Sequence, residues 1–159
     1  MSRILGIDPG TGICGFGVIE GRTAIDYGVI STPPHTPLPE RLEDIYNSLH
    51  EIIKLNQPEA MAIEKLFFKQ NITTGISVAE ARGICLLVAK QCHLPIYEYA
   101  PNQIKMAISG DGHAHKSQMQ EMVRLHLGLK QVPKPDDAAD ALACAIVHSF
   151  AVKNTEKLS

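Results

Sequence analysis

The hydrophobic period of this chain changes once, near residue 38, and that change limits the folds open to it. Before it, apolar residues recur in short strand-like runs broken by tight turns. Arg3–Asp8 ends in Pro9-Gly10, Ile13–Glu20 follows a glycine-rich turn, and Ala24–Ile30 follows Gly21-Arg22. After it, Leu42, Ile45, Leu49, Ile52 and Ile53 recur at helical spacing across Leu38–Leu55. The rest alternates: a strand at Ala60–Ile63, a helix at Thr73–Cys92 and a strand at Pro95–Tyr99. A short helix at Asn102–Ile108, a polar loop at Ser109–His115, a helix at Lys116–Leu127 and an Ala-rich helix at Asp136–Val152 follow. A meander feeding β–α alternation predicts an α/β fold, with a mixed five-stranded sheet (three antiparallel strands, then parallel β-α units) and helices on both faces.

That element order is the order of the ribonuclease H-like fold. With 159 residues the chain fits a single domain, expected over 1–152, with a flexible polar tail at 153–159. The Pro-rich stretch Ser31–Pro39 reads as a connector inside it. The longest mostly apolar stretch, Ala141–Val152, is too short to span a bilayer. The four cysteines form no CxxC pair, which fits free thiols in a reducing compartment. A cytoplasmic protein without a membrane segment is expected.

Charge first argues against a nucleic-acid partner, because 15 Lys and Arg against 17 Asp and Glu leave a net −2. Its distribution argues the other way. Residues 1–64 hold 4 basic and 9 acidic groups, residues 65–134 hold 9 and 4, and residues 135–159 hold 2 and 4. A basic middle is flanked by acidic ends.

Four carboxylates stand where burial is expected. Asp8 ends the first strand, Glu64 follows the fourth, and Asp137 and Asp140 open the last helix. Each alone has a plain explanation, since strand ends carry turn residues and acidic side chains suit a helix N-terminus. Asp136, just after Pro135, fits such a cap. The combination is harder to explain that way. Asp137 and Asp140 are i, i+3 and share a helix face, and the small Ala138, Ala139 and Ala141 allow that helix close to the sheet. In the expected order the first and fourth strands are neighbours, so Asp8 and Glu64 end side by side. Four converging carboxylates with no basic partner are costly without a cation, and oxygen ligands suit Mg²⁺ or Mn²⁺. The glycine-rich turn Gly10–Gly12 also resembles the phosphate loop of sugar-kinase and actin-type ATPases, but those need two lobes.

Several segments together resemble one family. Gly6-Ile7-Asp8-Pro9-Gly10, Ala62-Ile63-Glu64 with Phe67, Ala81-Arg82-Gly83, Lys116-Ser117-Gln118 and Asp137-Ala138-Ala139-Asp140-Ala141 are similar, in order along nearly the whole chain, to the bacterial RuvC Holliday junction resolvases. The resemblance implies a homodimeric Mg²⁺-dependent endonuclease that cuts two opposed strands of a four-way DNA junction, leaving 5′-phosphate and 3′-hydroxyl ends. It implies that Asp8, Glu64, Asp137 and Asp140 hold two Mg²⁺ per subunit, with Mn²⁺ able to substitute, and that Lys116 assists at the phosphate. It also implies recombination and repair as the setting, with branch-migration proteins of the RuvA and RuvB type as partners.

For DNA contact the resemblance points to Phe67, at the junction centre, with Phe68 beside it, one of the two being exposed and the other buried. It further points to Gln103, Lys105 and Lys116. Lys69, Arg82 and Lys134, in the basic middle, are generic phosphate-contact candidates. The helix Thr73–Cys92, with Gly83 allowing close approach, is the expected dimer face. His113 and His115 form an HxH without a third ligand nearby and read as part of a DNA-facing loop, in which Asp111 slightly opposes DNA. Two other readings stay open: a junction-binding module whose carboxylates are structural, and a ribonuclease H-like nuclease acting on RNA or RNA–DNA hybrids.

Overall fold

The computed structural model describes residues 2–66 and 72–158. Its elements are β1 (Arg3–Asp8), β2 (Ile13–Glu20), β3 (Thr23–Ser31), α1 (Leu38–Asn56), β4 (Ala60–Glu64), α2 (Ile72–Gln91), β5 (Ile96–Tyr99), α3 (Pro101–Ser109), α4 (Lys116–His126) and α5 (Asp136–Leu158). The five strands lie in the order β3-β2-β1-β4-β5. β1 pairs antiparallel with β2 and parallel with β4, and β4 pairs parallel with β5. The mixed sheet expected from the change of period is present, with element ends within a residue or two of the expected ones except at α5.

Strand parity decides which side chains meet which helices. Leu5 and Ile7 of β1, Cys14, Phe16 and Val18 of β2, and Met61 and Ile63 of β4 share a core with Ile45, Leu49 and Ile53 of α1 and Ala81, Cys85 and Val88 of α2. The alternate residues Ile4, Ile19 and Ala62 build a second core with Ile104 of α3, Val123 of α4 and Leu142 and Ile146 of α5. Asp8 is in phase with Ile4, and Glu64 with Ala62, so both carboxylates fall on the α5 side of the sheet.

Two glycines set how near α5 comes. A Cβ on Gly6 would lie 1.9 Å from the Ala141 carbonyl oxygen, and one on Gly15 would lie 2.1 Å from that of Asp137. Any side chain at either position would push the helix outward. Gly15 is also the cross-strand partner of Asp8, so the closest approach lies beside the acid at the end of β1.

One boundary needs correcting: the last helix runs beyond the expected Val152 to Leu158. A second apolar segment, besides Ala141–Val152, also bears on the membrane reading. Among the described residues α2 is long and apolar enough, by length and composition, to cross a bilayer, with a mean hydropathy of 1.5. It packs on α1 and the sheet through Ala81, Cys85, Val88 and Ala89, while Ile72, Ile76 and Leu87 are exposed. Apolar residues on both sides raise its hydropathy without making it a membrane helix.

Candidate metal centre and its cleft

The parallel register Ile7↔Ile63 places the ends of β1 and β4 together, which brings Asp8 beside Glu64. α5 starts over the same edge and adds Asp137 and Asp140 from its first two turns. One carboxylate oxygen each from Asp8, Asp137 and Asp140 lie within 4.8 Å of one another. Glu64 stands at the rim of this trio. It lines a cleft of about 260 Å³ together with Asp140, Lys105, Lys116, Ile104, Met119 and Cys144. The buried Cys144 thiol beneath is pushed well above its usual range, by desolvation first and then by the charges of Glu64, Asp8 and Asp140. The negative field of three of the four predicted acids therefore converges on one point.

The trio is electrostatically strained as it stands. Burial, a hydrogen bond with Asp137 and the charges of Asp140 and Asp137 push Asp8 up to about 9. Asp140 is also raised, mainly by desolvation, with Lys116 opposing the rise. Without a cation the three acids are driven to share a proton. Partly buried, oxygen-only and like-charged, the set matches a hard divalent cation, which would replace that proton and satisfy the oxygens. The acidic cluster is compatible with divalent-metal binding.

Lys116 opens α4 with its Nζ 3.5 Å from Asp136 Oδ2 and 3.9 Å from Asp140 Oδ2. Those charges, Asp140 foremost, raise its pKa. Asp136 is thus the counter-ion of Lys116, a role its sequence position as a helix cap did not reveal. Lys105 of α3 lines the same cleft.

Other candidates fall elsewhere. Arg82, a generic phosphate-contact candidate, is engaged in an ion pair. Its side chain is only 14% exposed and donates to Glu98 Oε1 at 2.6 Å, joining α2 to β5. Gln103 is exposed, but its amide oxygen accepts from the Ala100 N–H at the start of α3. His115 forms the N-cap position of α4, and the Asp111 carboxylate accepts from the His113 N–H at 2.9 Å. Asp111 therefore shapes its own turn. Phe67, Phe68 and Lys69 lie outside the described residues, and Lys134 is exposed.

Two features had no sequence signal: the cleft between α3, α4 and α5, and a hydroxyl pair between Thr11 of the β1–β2 turn and Ser77 of α2. Residues 66 apart in sequence meet only in the folded chain.

Known proteins share this arrangement. The family model for crossover junction endodeoxyribonuclease RuvC matches residues 4–148. The crossover junction endodeoxyribonuclease RuvC of Desulfitobacterium hafniense is 54% identical over 153 residues, covering 94% of this chain and 93% of the relative. That of Chloroflexus aggregans is 49% identical over 159 residues, covering 98% and 97%. Among solved structures, Thermus thermophilus RuvC in complex with a Holliday junction substrate superposes with a TM-score of 0.90 at 36% identity, covering 98% of this chain and 97% of that one. The yeast mitochondrial Holliday junction resolvase Ydc2, with a TM-score of 0.60 and 15% identity over 92% of this chain and 78% of that one, shares the fold.

Proposed function

The chain belongs to the RuvC family of crossover junction endodeoxyribonucleases, and on that footing we propose that it resolves four-way DNA junctions by paired, symmetric hydrolytic cuts during recombination and repair. The observation that carries this reading is the trio of Asp8, Asp137 and Asp140, with ligand oxygens within 4.8 Å of one another beside a lysine-bearing cleft.

In this reading Asp8, Glu64, Asp137 and Asp140 hold two Mg²⁺ per subunit, and Mn²⁺ can take their place. Bound there, the ions supply an activated water and stabilise the leaving oxygen of a phosphodiester. The remaining work belongs to the chain's own side chains. Holding such an ion would require the Asp8 carboxyl to be deprotonated, which would tie loading to pH. Lys116, held at the cleft mouth by Asp136 and Asp140, exchanges those partners for the phosphate beside the cut. Lys105 holds the strand from the other wall. Attack by water breaks the P–O3′ bond, leaving a 5′-phosphate and a 3′-hydroxyl.

Paired cuts need two sites related by the junction's own two-fold symmetry. The outer face of α2 is the proposed dimer face. Ile72, Ile76 and Leu87 are exposed there, and a Cβ on Gly83 would meet nothing within 4 Å. Residues 1–152 would form the single nuclease domain of a soluble cytoplasmic protein that works with branch-migration proteins of the RuvA and RuvB type.

The test is incubation with a synthetic four-way junction and Mg²⁺. Symmetric nicks that ligase seals are expected. Intact arms in both Mg²⁺ and Mn²⁺, with the junction still bound, would sink the enzyme reading in favour of a binding module. Preferential cutting of an RNA–DNA hybrid would redirect it to another substrate.

A further inference from the structure

The turn that follows Asp8 is gripped from two sides. At the end of β3, the Thr32 hydroxyl donates to the Thr11 carbonyl at 2.5 Å, and the Thr32 N–H donates to the Gly12 carbonyl at 3.0 Å. From the other side, the Ser77 hydroxyl of α2 is hydrogen-bonded to that of Thr11. Thr11 and Thr32 are both buried, so their hydroxyls need partners inside the protein. The turn itself has no slack, since a Cβ on Gly10 would lie 2.3 Å from the Ile13 carbonyl oxygen. A displacement of Ser77 is therefore passed through Thr11 to the segment that carries Asp8.

Ser77 sits on a helix with two apolar faces. Ser77, Ala81, Cys85 and Val88, at i, i+4, i+8 and i+11, form the inner stripe. Its last three members are buried, and Cys85 Sγ lies 3.9 Å from Cys14 Sγ of β2. Ile76, beside Ser77 in sequence, is 52% exposed and faces outward with Leu87. In the first two turns of α2 no residue before Ala81 is fully buried. The inner hydroxyl contact thus joins the Asp8 turn to the part of α2 whose outer side has least cover.

We propose that the Ser77–Thr11 hydroxyl pair is a positioning contact that couples divalent-metal binding at Asp8 to the seating of a second copy of this chain on the outer face of α2. The inference rests on the metal-site and dimer-face readings above. Covering the outer face fixes the start of α2. Ser77 then fixes Thr11, and Thr11 fixes the turn that aims the Asp8 carboxylate. The coupling is reciprocal, so metal binding also strengthens the dimer.

The experiment measures Mn²⁺ affinity by electron paramagnetic resonance at protein concentrations on either side of the dimer constant, itself obtained by sedimentation velocity. Leu87→Glu on the outer face supplies a monomer at high concentration. Wild-type dimer is expected to bind Mn²⁺ more tightly than Leu87→Glu, and Mn²⁺ loading of both subunits to tighten the wild-type dimer by the square of that per-subunit factor. Ser77→Ala and Thr11→Val should each weaken Mn²⁺ binding about tenfold, in the range of outer-shell losses at metal sites, and remove its dependence on dimerisation. Ser77→Thr, which keeps the hydroxyl, should restore both. Unchanged Mn²⁺ affinity in Ser77→Ala and Thr11→Val overturns the proposal, whatever happens to their melting temperatures, because that is the signature of a purely structural contact. Equal affinity in wild-type dimer and Leu87→Glu monomer overturns it too. A chain that is monomeric at every concentration overturns both this proposal and the dimer reading, while leaving the metal site standing. Since no arm reads cleavage, coupling in a chain that fails to cut a junction would support the proposal and count only against the nuclease reading.

Discussion

Asp8 and Asp137, 129 positions apart in sequence, bring carboxylate oxygens within 4.8 Å of one another at the meeting of β1 and α5. Like charges this close repel unless a proton or a cation sits between them. Asp8→Asn keeps the shape and removes the titrating acid. It should abolish junction cleavage, by more than about 100-fold, while junction binding in a gel-shift assay persists. In metal-free buffer the same variant should melt at a higher temperature than wild type, because a strained buried acid has been replaced by a neutral amide. Cleavage by Asp8→Asn at the wild-type rate would show that the acid trio does not serve the reaction.

The sign of the pH dependence follows from the same group. The folded-state pKa of Asp8 lies at about 9 against an ordinary 3.8. A raised acid contributes stability that is fully present below the ordinary value and is lost as pH rises towards the folded value. Across that window the metal-free protein should lose up to about 1.4 kcal/mol per pH unit from this group. His126 and His148 act oppositely. Burial lowers both from 6.5, so they cost stability as pH falls below that value. Thermal melts in chelator should therefore show stability falling as pH rises from about 6.5 towards 9, and Asp8→Asn should flatten that limb. Metal affinity should rise with pH through the same range, as each loading event releases the Asp8 proton.

Gly6→Ala tests whether the close approach of α5 makes the site. The added Cβ would lie 1.9 Å from the Ala141 carbonyl oxygen and 2.9 Å from the Ala145 nitrogen. Both are backbone atoms and can yield only if the helix moves. Overpacking of this kind costs about 1–3 kcal/mol, visible as a lower melting temperature. Because Asp137 and Asp140 ride on that helix, Mn²⁺ affinity should fall as well. A destabilised variant with normal Mn²⁺ affinity would show that the acids tolerate a shifted helix.

The acid trio was legible in sequence because each member occupies a position whose geometry is local. Asp8 closes a strand whose parity and neighbours follow from element order, and Asp137 and Asp140 are one helical turn apart. What stayed hidden depends on partners distant along the chain. Nothing near Arg82 in sequence announces its ion pair with Glu98 on β5. Gln103 accepts from the Ala100 N–H just ahead of its own helix. The end of α5 was misjudged because its apolar pattern fades after Phe150, whereas polar residues can extend a helix already anchored by packing. Asp136 showed itself as a first-turn acid but not as the partner of Lys116, which comes from another helix.

That pairing sets the last prediction. The Lys116 ion pairs, at 3.5 and 3.9 Å with both partners well exposed, belong to a class worth at most about 1 kcal/mol, so they hold the lysine at the cleft without trapping it. Lys116→Ala should leave the melting temperature within about one or two degrees of wild type but lower single-turnover cleavage at saturating junction about 100-fold. Asp136→Asn removes the nearer tether and leaves Asp140 in place, so it should change cleavage by less than about threefold. Equal losses in Lys116→Ala and Asp136→Asn would mean that the ion pair, not the lysine's contact with the phosphate, is what the reaction requires.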